Sequence, residues 1–293
     1  MNAMLDDQTY VYLNGSYLPK HKAALSVEDR GTLFGDGVYE VVRYYGGRPL
    51  AIEAHVDRLR ASLRGIALDA PADVAQLPAI SDELVQRNNM ADAKVYWQIT
   101  RGPAPRDHAL PAQPQPSVLV MSYPAAPVDA QRDCPGWRAI TAEDRRWQDC
   151  WIKSLMLLPN VLARHAAQAA GAHEAILHRD GTVTEGSSTN AMIVRNDTLR
   201  THPADRHILG GVTRRLVLDL AQQLGYTVRE EAFTLDELRA ADEVLLTGTT
   251  THVAAVTHID DQPIGAAAPG PVARALHEAF VRHVQTQCGA ARP

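Results

Sequence analysis

The sequence has few cysteines and no pattern of metal ligands. Among 293 residues there are three cysteines, Cys134, Cys150 and Cys288, and none lies in a CxxC pair. An odd number without that spacing argues against a disulfide framework and against a zinc ribbon. The 12 histidines show no metal-ligand spacing, so no metal is expected. This cysteine usage favours a reducing cytoplasm, and a chain of this length can bury a core without staples.

Long apolar stretches and runs of one charge are also lacking. The N-terminus has no basic segment followed by an apolar one, as a signal peptide would have. The uncharged window 108–128 is interrupted by prolines. The net charge of -5 arises from 29 basic and 34 acidic residues spread along the chain. We therefore expect no membrane span and no nucleic-acid or membrane partner.

Several common catalytic signatures are absent from the sequence. There is no GxxxxGK[ST] phosphate loop, no GxGxxG between a strand and a helix, no HExxH and no GxSxG. The "GDG" at 35–37 is followed by strand-forming residues rather than by a helix. These absences argue against the P-loop, dinucleotide-binding, zinc-protease and serine-hydrolase classes.

The patterns that are present predict a mixture of strands and helices. "TYVYLNGSYLP" alternates around an Asn14-Gly15 turn, and "GVYEVVRYYGGRPL" contains a Gly46-Gly47 turn, so each predicts a β-hairpin. From Ile52 the apolar residues fall at helical spacing, with Gly65 near the end. A second helix is expected near 80–88, followed by the strands "KVYWQITRG" and "SVLVMSY" around a proline-rich loop.

The second half of the chain repeats this mixture without strict strand-helix alternation. A strand near "GWRAITA" precedes a helix of about 159–170, and "EAILHRDGTVTEGSSTNAMIVRNDTLRTHP" predicts a meander of at least four strands. Helices are expected from Val212 and over "VARALHEAFVRHVQT", with strands over "EVLLTGTTTHVAAVTHIDDQPIG" between them. The order predicts an α+β protein with a smaller N-terminal domain at 1–122, a linker at 123–127 and a larger domain at 128–293.

One lysine lies in an otherwise apolar run, "CWIKSLMLLPN". Lys153 could be a snorkelling side chain at the end of a strand. Alternatively it could be a desolvated amine that forms a Schiff base or shuttles a proton. The segment by itself leaves both interpretations open.

A carboxylate and two glycine-threonine segments are candidates for ligand binding. Glu185, in "TVTEGSSTN", is either an exposed turn residue or a carboxylate aimed at a cationic nitrogen, with Ser187, Ser188 and Thr189 as donors. "ILGGVTRRL" puts Thr213 at an expected helix N-terminus, which favours an anion. "LLTGTTTHV" offers hydroxyls and amides around Gly248.

Three further cations could bind anionic groups or could be ordinary surface charge. Arg58 shares a helix face with His55 and is either solvated or the counter-charge of a phosphate. "RGPAPRDH" places Arg106 and His108 in a proline-stiffened loop, where they are either surface charge or a site for a substrate carboxylate.

Six segments in order resemble the pyridoxal-phosphate-dependent aminotransferases of fold type IV, most closely the D-amino-acid (D-alanine) aminotransferases. They are "DRGTLFGDGVYEVVRYYGG", "RGPAPRDH", "IKSLMLLPNVLA", "EAILHRDGTVTEGSSTNAM", "THPADRHILGGVTR" and "TGTTTHV". The resemblance extends from about Tyr10 to about Val256. It implies a two-domain α+β fold with pyridoxal 5'-phosphate between the domains.

The resemblance also assigns roles to individual residues. It implies that Lys153 holds the cofactor as a Schiff base and that Glu185 faces the pyridine nitrogen. The implied phosphate site consists of Arg58, Val212, Thr213 and Thr249. Arg146 matches an arginine near the phenolic oxygen of the ring, and the substrate carboxylate would be bound by Tyr39, Arg106 and His108.

The implied reaction is ping-pong transamination between D-amino acids and 2-oxo acids such as 2-oxoglutarate or pyruvate. The resemblance also implies a homodimer in which the Arg106-His108 loop reaches the neighbouring active site. A branched-chain L-amino-acid or (R)-amine aminotransferase would share Lys153 and Glu185, so these two residues do not discriminate, whereas the loop favours D-amino acids. A third alternative is a cofactor-binding homologue without turnover.

Two positions depart from the family pattern. Arg43 stands where lysine is expected, and Thr189 where serine is usual. Because Arg43 shares a strand face with Tyr39 and Val41, we expect it to affect the substrate pocket.

Overall fold

The structure is a computed structural model, which describes residues 9–128 and 134–289. The chain forms two compact units. The first comprises Met1–Val128, Ile152–Met156 and Val284–Pro293, and the second comprises Asp129–Trp151 and Leu157–His283. Residues 1–8, 129–133 and 290–293, which belong to the domains expected from the sequence, lie outside the described residues.

The first unit contains a six-stranded antiparallel sheet in the order β2-β1-β6-β5-β3-β4. Its strands are β1 (Tyr10–Leu13), β2 (Ser16–Pro19), β3 (Gly37–Tyr45), β4 (Arg48–Pro49), β5 (Ala93–Thr100) and β6 (Ser117–Pro124). Both expected hairpins are confirmed, because β1 pairs with β2 across Asn14-Gly15 and β3 pairs with β4 across Gly46-Gly47.

Two helices cover one face of this sheet, and the hydrophobic core of the unit lies between these helices and the sheet. They are α2 (Ile52–Gly65) and α3 (Leu77–Arg87), and 3-10 turns lie at Lys20–Lys22 and Ala72–Gln76. The bulky Trp97 of β5 is fully buried and donates its indole N–H to Ser81 of α3 at 2.8 Å. The apolar face of α2, including Leu59 and Leu63, is also fully buried. The helical periodicity from Ile52 is thereby confirmed.

A short helix, α1 (Arg30–Phe34), lies between the first hairpin and β3, where we did not expect one. Its signals are local: the Asp29 side chain accepts the Gly31 N–H at 2.8 Å, and Gly35 closes the helix at φ 67°. Asp29 is buried and also accepts the hydroxyls of Thr100 and Ser117, at 2.9 and 2.7 Å. This buried carboxylate therefore joins α1 to β5 and β6.

The segment that contains Lys153 packs with the first unit, although from the sequence we expected it in the C-terminal domain. The reason is backbone pairing with β3: Tyr39 donates its N–H to the Lys153 carbonyl at 2.9 Å, and Leu155 donates to that of Gly37 at 3.0 Å. The start of the expected linker also belongs to this unit, because Tyr123 and Pro124 complete β6. The domain bounds inferred from the sequence stay a prediction.

The second unit contains a nine-stranded mixed sheet. Its main path is β12-β11-β10-β13-β14-β7-β8-β9, with β15 paired to β14. The strands are β7 (Gly136–Glu143), β8 (Glu174–Arg179), β9 (Thr182–Gly186), β10 (Asn190–Arg195), β11 (Thr198–Thr201), β12 (Thr227–Glu230), β13 (Glu243–Gly248), β14 (His252–Ile259) and β15 (Gln262–Pro263). The four strands expected there are confirmed as β8 to β11. They form two hairpins, β8 with β9 and β10 with β11, rather than one meander, because β13, β14 and β7 lie between β10 and β8 in the sheet.

The helices of the second unit are α4 (Leu158–Ala169), α5 (Val212–Gln223), α6 (Leu235–Arg239) and α7 (Pro271–Cys288). We did not predict β12 or α6. The N-terminus of α6 has a capping box, in which Thr234 and Glu237 each bond the other's backbone N–H. None of the helices among the described residues is long and apolar enough to span a membrane.

We predict that Gly102→Ala destabilises the first unit much more than Gly47→Ala. Both glycines have positive φ, +85° and +81°, which costs about 1 kcal/mol for alanine. A Cβ at Gly102 would lie 1.7 Å from the Gln115 carbonyl oxygen, whereas none of the described atoms lies within 4 Å of one at Gly47. The total cost at Gly102 should be about 3 kcal/mol or more.

The measurement is the midpoint of thermal unfolding of both variants beside the parent protein. Equal shifts for the two variants would show that the backbone conformation alone, and not the approach of Gln115, requires glycine at position 102.

Candidate active site

The backbone around Lys153 is fixed by two elements of the first unit. One is β3, which pairs with the segment through Tyr39 and Gly37. The other is α2, since the Lys153 N–H donates to the Ser62 hydroxyl at 3.1 Å, and Ser62 is fully buried. A Cβ at Gly37 would lie 2.7 Å from the Ile99 carbonyl oxygen and 2.8 Å from Leu155, so the close approach of the segment requires glycine there. The backbone from which the Lys153 side chain extends is therefore fixed.

The side chain of Lys153 is half-buried and lies over an aromatic ring. Its Nζ is 4.3 Å from the centroid of the Tyr39 ring. Within residues 9–128 and 134–289 the amine has no hydrogen bond and no ion pair. A lysine amine that lies over an aromatic ring and has no carboxylate partner suits a group that reacts with a carbonyl.

A buried cluster of charges connects β3 to α2 close to this lysine. Glu40 is fully buried on β3 and accepts from both Nε and Nη2 of Arg58, at 2.7 and 2.8 Å. The same carboxylate contacts Nδ1 of His55 at 2.8 Å. Arg58 is thus held in a bidentate pair rather than solvated, and the shared helix face of Arg58 and His55 is directed at Glu40.

The pKa values in this cluster follow from burial and charge. Burial alone would raise the pKa of Glu40, but the charge and hydrogen bonds of Arg58, with a further bond from His55, hold it well below its ordinary value. Burial lowers the pKa of His55, and the hydrogen bond to Glu40 offsets this only in part because Arg58 and Lys153 also disfavour a second cation. We therefore describe the cluster as a carboxylate, a guanidinium and a neutral imidazole.

The loop with Arg106 and His108 is held by α1. Both side chains are exposed, and both contact the ring of Phe34: the Arg106 guanidinium lies 5.4 Å from its centroid, and the His108 ring packs edge-on at 5.5 Å. Arg30 donates to the carbonyl oxygens of Asp107 and Ala109 at 2.6 and 3.3 Å. The loop is thereby held on both sides of His108.

Arg30 is itself fixed by a shared carboxylate. Its Nε donates to Asp36 at 2.8 Å, and Nε of Arg101 donates to the same oxygen at 2.9 Å. Burial raises the pKa of Asp36, but the bonds and charges of Arg101 and Arg30 outweigh it, so the net shift is downward. No pattern in the sequence indicates that Arg30, Asp36 and Arg101 act together, because they come from different elements.

Arg43 does not have the place we expected for it. It is buried, and it donates to the carbonyl oxygens of Tyr44 and Ala93 at 2.9 Å each and to that of Ala126. Its guanidinium therefore ties β3 to the chain after β6. The alternation of β3 does put Tyr39 and Arg43 on one face, but the length of the arginine side chain carries its charged end to these carbonyls.

In the second unit, Glu185 is buried at the end of β9, and its partners include Arg146, Asn190 and Leu209. Oε1 accepts from Nη1 of Arg146, and Oε2 accepts from the side-chain amide of Asn190 at 2.9 Å and the N–H of Leu209 at 3.0 Å. These donors stabilise an ionised carboxylate, which is the form that would pair with a protonated ring nitrogen.

Arg146 is positioned by a second acid, Asp144. Nε and Nη2 donate to the two oxygens of Asp144 at 2.9 and 2.8 Å, and Nη1 is directed at Glu185. Burial opposes the charge of Arg146, but Asp144 and Glu185 outweigh it and raise its pKa. In the structure Arg146 thus orients Glu185, and a contact with the phenolic oxygen of a cofactor stays a prediction.

Asn190 joins Glu185 to the N-terminus of α5, which contains Val212 and Thr213. Its amide donates to the Leu209 carbonyl at 2.8 Å as well as to Glu185. A Cβ on Gly211 would lie 2.0 Å from the Asn190 Oδ1, which explains the glycine before the helix. Gly211 gives α5 no side-chain cap, so the first N–H groups of the helix suit an anion.

The hydroxyls after Glu185 have a different partner from the one we considered. Ser187, Ser188 and Thr189 all donate to Glu174, a fully buried carboxylate at the start of β8. Their role is therefore to fix the turn that follows Glu185, because these hydroxyls are directed at Glu174. Thr189 makes the bond as a serine would, at 3.1 Å.

Thr249 lies in the turn between β13 and β14, next to the turn that Glu174 fixes. The preceding residue, Gly248, has its Cβ position 3.5 Å from the Ser188 carbonyl oxygen. Thr247 pairs with Asn190 across β13 and β10. Glu185, Asn190, Thr249 and the turn at 186–189 consequently lie at one end of the sheet.

The structure thus brings the expected residues together as two groups, one in each unit. Lys153, Tyr39 and Arg58 are joined through β3 and α2, while Glu185 and α5 are joined through Asn190. Sequence reasoning assigned no role to the residues that make these connections. They are Glu40, His55, Arg30, Asn190 and Glu174. For Glu40 the available signal was a charged residue between Tyr39 and Val41 in an expected strand, whereas Asn190 and Glu174 each follow a polar residue and have no such signal.

Comparisons with known proteins agree with this geometry. The amino-transferase class IV family matches residues 37–259. The chain is 43% identical over 281 residues to a D-alanine aminotransferase of Listeria innocua serovar 6a, covering 95% of this chain and 97% of the relative.

Solved structures give the same family. A branched-chain aminotransferase of Thermoproteus uzoniensis with norvaline has a TM-score of 0.87 at 28% identity and covers 95% of both chains. The branched-chain amino acid aminotransferase of Escherichia coli has a TM-score of 0.85 at 25% identity and covers 93% of both chains. A further branched-chain amino acid aminotransferase, solved with pyridoxamine 5'-phosphate, has a TM-score of 0.86 at 30% identity, covering 98% of this chain and 96% of that one. The expected α+β fold is confirmed, and the chain belongs to the class IV aminotransferases.

Proposed function

We propose that this protein is a pyridoxal-phosphate-dependent aminotransferase that moves the amino group of D-amino acids, of the D-alanine type, to 2-oxo acids. The observation that carries the choice of substrate is the 43% identity to a D-alanine aminotransferase over nearly the whole chain. The reaction alternates between a donor amino acid and an acceptor such as 2-oxoglutarate or pyruvate, and so has ping-pong kinetics.

The residues present fit pyridoxal phosphate. Lys153 offers an amine without an ion-pair partner in the described chain, as a Schiff-base lysine requires. Glu185 offers a buried carboxylate for the ring nitrogen. When bound, the cofactor supplies an electron sink for the bond that breaks at the α-carbon. The phosphate would be bound by Arg58, the N–H of Val212, Thr213 and Thr249. Arg146 would act on the ring through Glu185, which it orients.

Lys153 is the group that moves the proton. When not bonded to the cofactor, its Nζ would be the base that takes the α-proton of the substrate and returns it. Tyr39 restricts its position, because the Nζ lies over the phenol ring at 4.3 Å. The anchored backbone at Tyr39 and Ser62 keeps the amine within a small volume, which favours repeated proton transfer at one point.

The substrate carboxylate would be bound by Tyr39, Arg106 and His108. Because Arg106 and His108 are exposed on a loop that α1 holds, they suit a site completed by a second copy of the chain. We therefore infer a homodimer in which each loop serves the neighbouring active site. Arginine and histidine together give a carboxylate two directed donors.

The compartment that we infer is the cytoplasm. The three cysteines are buried and are not in disulfides in the described part of the chain, which suits a reducing environment. As a second candidate, a branched-chain L-amino-acid aminotransferase would have the fold that this chain shares with the branched-chain aminotransferase structures. The Arg106-His108 loop and the D-alanine aminotransferase relative favour D-amino acids instead.

The first test is a substrate panel. We expect D-alanine and 2-oxoglutarate to give pyruvate, with little product from L-leucine. Lys153→Ala should remove both turnover and the cofactor absorbance near the visible edge, whereas Lys22→Ala, at an exposed lysine, should keep both. Preference for L-leucine would overturn the choice of D-amino acids and leave the aminotransferase assignment intact. Turnover by Lys153→Ala would overturn the role of that lysine.

The second test concerns the loop and the arginine that holds it. Arg106→Ala should raise KM for D-alanine about ten- to hundredfold, as the loss of a charged hydrogen bond of about 1.5–3 kcal/mol implies. Arg30→Gln should raise KM in the same direction with kcat little changed, because it acts through the loop backbone. Arg64→Gln, at the exposed end of α2, is the matched control. If Arg30→Gln lowers kcat and leaves KM alone, α1 does not position a substrate-binding loop.

The third test is the pH dependence of stability. Because the pKa of His55 is lowered in the fold, the unfolded chain binds a proton below about pH 6.5 that the folded protein does not. Stability should therefore fall between about pH 7 and 5, and His55→Gln should lessen that fall. The readout is the unfolding midpoint against pH, with His165→Gln at an exposed site as control. An unchanged slope in His55→Gln would show that His55 takes up a proton in the folded protein.

A further inference from the structure

The loop between β11 and α5 brings two imidazoles to one carboxylate, outside the candidate active site residues. Nδ1 of His202 lies 3.8 Å from Oδ1 of Asp205, and Nδ1 of His207 lies 3.5 Å from Oδ2 of the same carboxylate. One ligand atom from each of the three residues lies within 4.8 Å of the other two. We expected no metal from the sequence because these residues lack a regular histidine spacing.

These separations are close to what a small metal ion requires. Ligands at about 2.0–2.1 Å in a tetrahedral arrangement are about 3.3 Å apart. The His207-Asp205 distance, 3.5 Å, is slightly longer than that value. Nδ1 of His202 donates to the Pro203 carbonyl at 3.0 Å, so Nε2 is the nitrogen of that ring that is left to bind an ion. The side chains of His207 and Asp205 are 39% and 42% exposed, so both can rotate toward an ion held by Nε2 of His202.

The loop is held in this shape by its own hydrogen bonds. The Asp205 N–H donates to the Pro203 carbonyl and the His207 N–H to Oδ1 of Asp205, both at 2.8 Å. Nη2 of Arg214 donates to the His202 carbonyl at 2.7 Å, and His202 is 5% exposed. A ligand set on a fixed loop loses little conformational entropy when an ion binds.

The charges and ligand types select the class of ion. Two neutral imidazoles and one carboxylate give the set a charge of about -1 against a divalent cation. The arginine of the loop, Arg206, is directed away to Asp149 at 3.1 Å. Imidazole with carboxylate suits Zn²⁺, Ni²⁺ or Co²⁺, whereas Mg²⁺ and Ca²⁺ prefer oxygen ligands alone.

We propose that His202, Asp205 and His207 form a binding site for a divalent transition-metal ion, with Zn²⁺ as the type ion. The three protein ligands leave one position of a tetrahedral site to water. The loop continues to Leu209, whose N–H donates to Glu185. Within the loop, the Arg206 carbonyl accepts the N–H of Cys150 at 2.8 Å. An ion there would stiffen a loop that supports the carboxylate.

The test uses untagged holo-protein, treated with a chelator and then titrated with ZnCl₂ in a calorimeter. We expect one ion per chain with a dissociation constant on the order of micromolar and a rise in the unfolding midpoint. MgCl₂ should give neither effect. His207→Ala should weaken Zn²⁺ binding at least about tenfold, whereas His165→Ala, at an exposed histidine of α4, should bind like the parent.

A second variant guards against misfolding. Asp205→Asn keeps an oxygen that can accept the His207 N–H but removes the charge, so it should fold and still bind Zn²⁺ more weakly. Absence of stoichiometric binding to the parent would overturn the proposal. Equal affinity of the parent, His207→Ala and Asp205→Asn would also overturn it, since the ion would then be bound elsewhere.

Discussion

The bidentate pair between Glu40 and Arg58 is the contact on which the lysine side of the site depends. Glu40 is at a core position of β3, between Val38 and Val42, and all three are fully buried. A carboxylate there is tolerated only because Arg58 and His55 satisfy both of its oxygens. Removing one partner of such a pair typically costs about 3–5 kcal/mol. Glu40, on the strand beneath α2, therefore fixes the position of the Arg58 guanidinium.

The second unit uses buried carboxylates in the same way. Glu174 accepts the hydroxyls of three consecutive residues after Glu185, while Glu185 accepts from Arg146, Asn190 and Leu209. In each case one acid holds several hydrogen-bond donors at once. A carboxylate is suited to this because its two oxygens accept several donors, each bond being strengthened by the full charge.

The sequence patterns predicted the hairpins and the longer helices, because these depend on residues close together in the chain. The Asn14-Gly15 and Gly46-Gly47 hairpins and the helix from Ile52 depend on turn chemistry and periodicity, and the structure has them. The short α1 and α6 were missed because five residues give no periodicity. Their caps, Asp29 with Gly35 and Thr234 with Glu237, were the available signals. The site could be predicted less completely than the fold, because supports such as Glu40 and Asn190 bond residues of other elements or loops, Arg58 at 18 and Leu209 at 19 residues' separation. For Arg43, strand alternation predicted the direction of the Cβ, but the long side chain carries the guanidinium to the carbonyl oxygen of Ala93.

The alternation of β3 also explains how one strand can serve two purposes. Glu40 points to the core side, where it holds Arg58, and Tyr39 points to the other side, where its ring meets the Lys153 amine at 4.3 Å. The lysine segment pairs along the edge of this strand, so its backbone is fixed relative to both faces at once. A one-residue slip of β3 would exchange the two faces, putting the carboxylate beside the amine and the phenol into the core. The glycine at position 37, which permits the close approach of Leu155, therefore helps to define the register on which both faces depend.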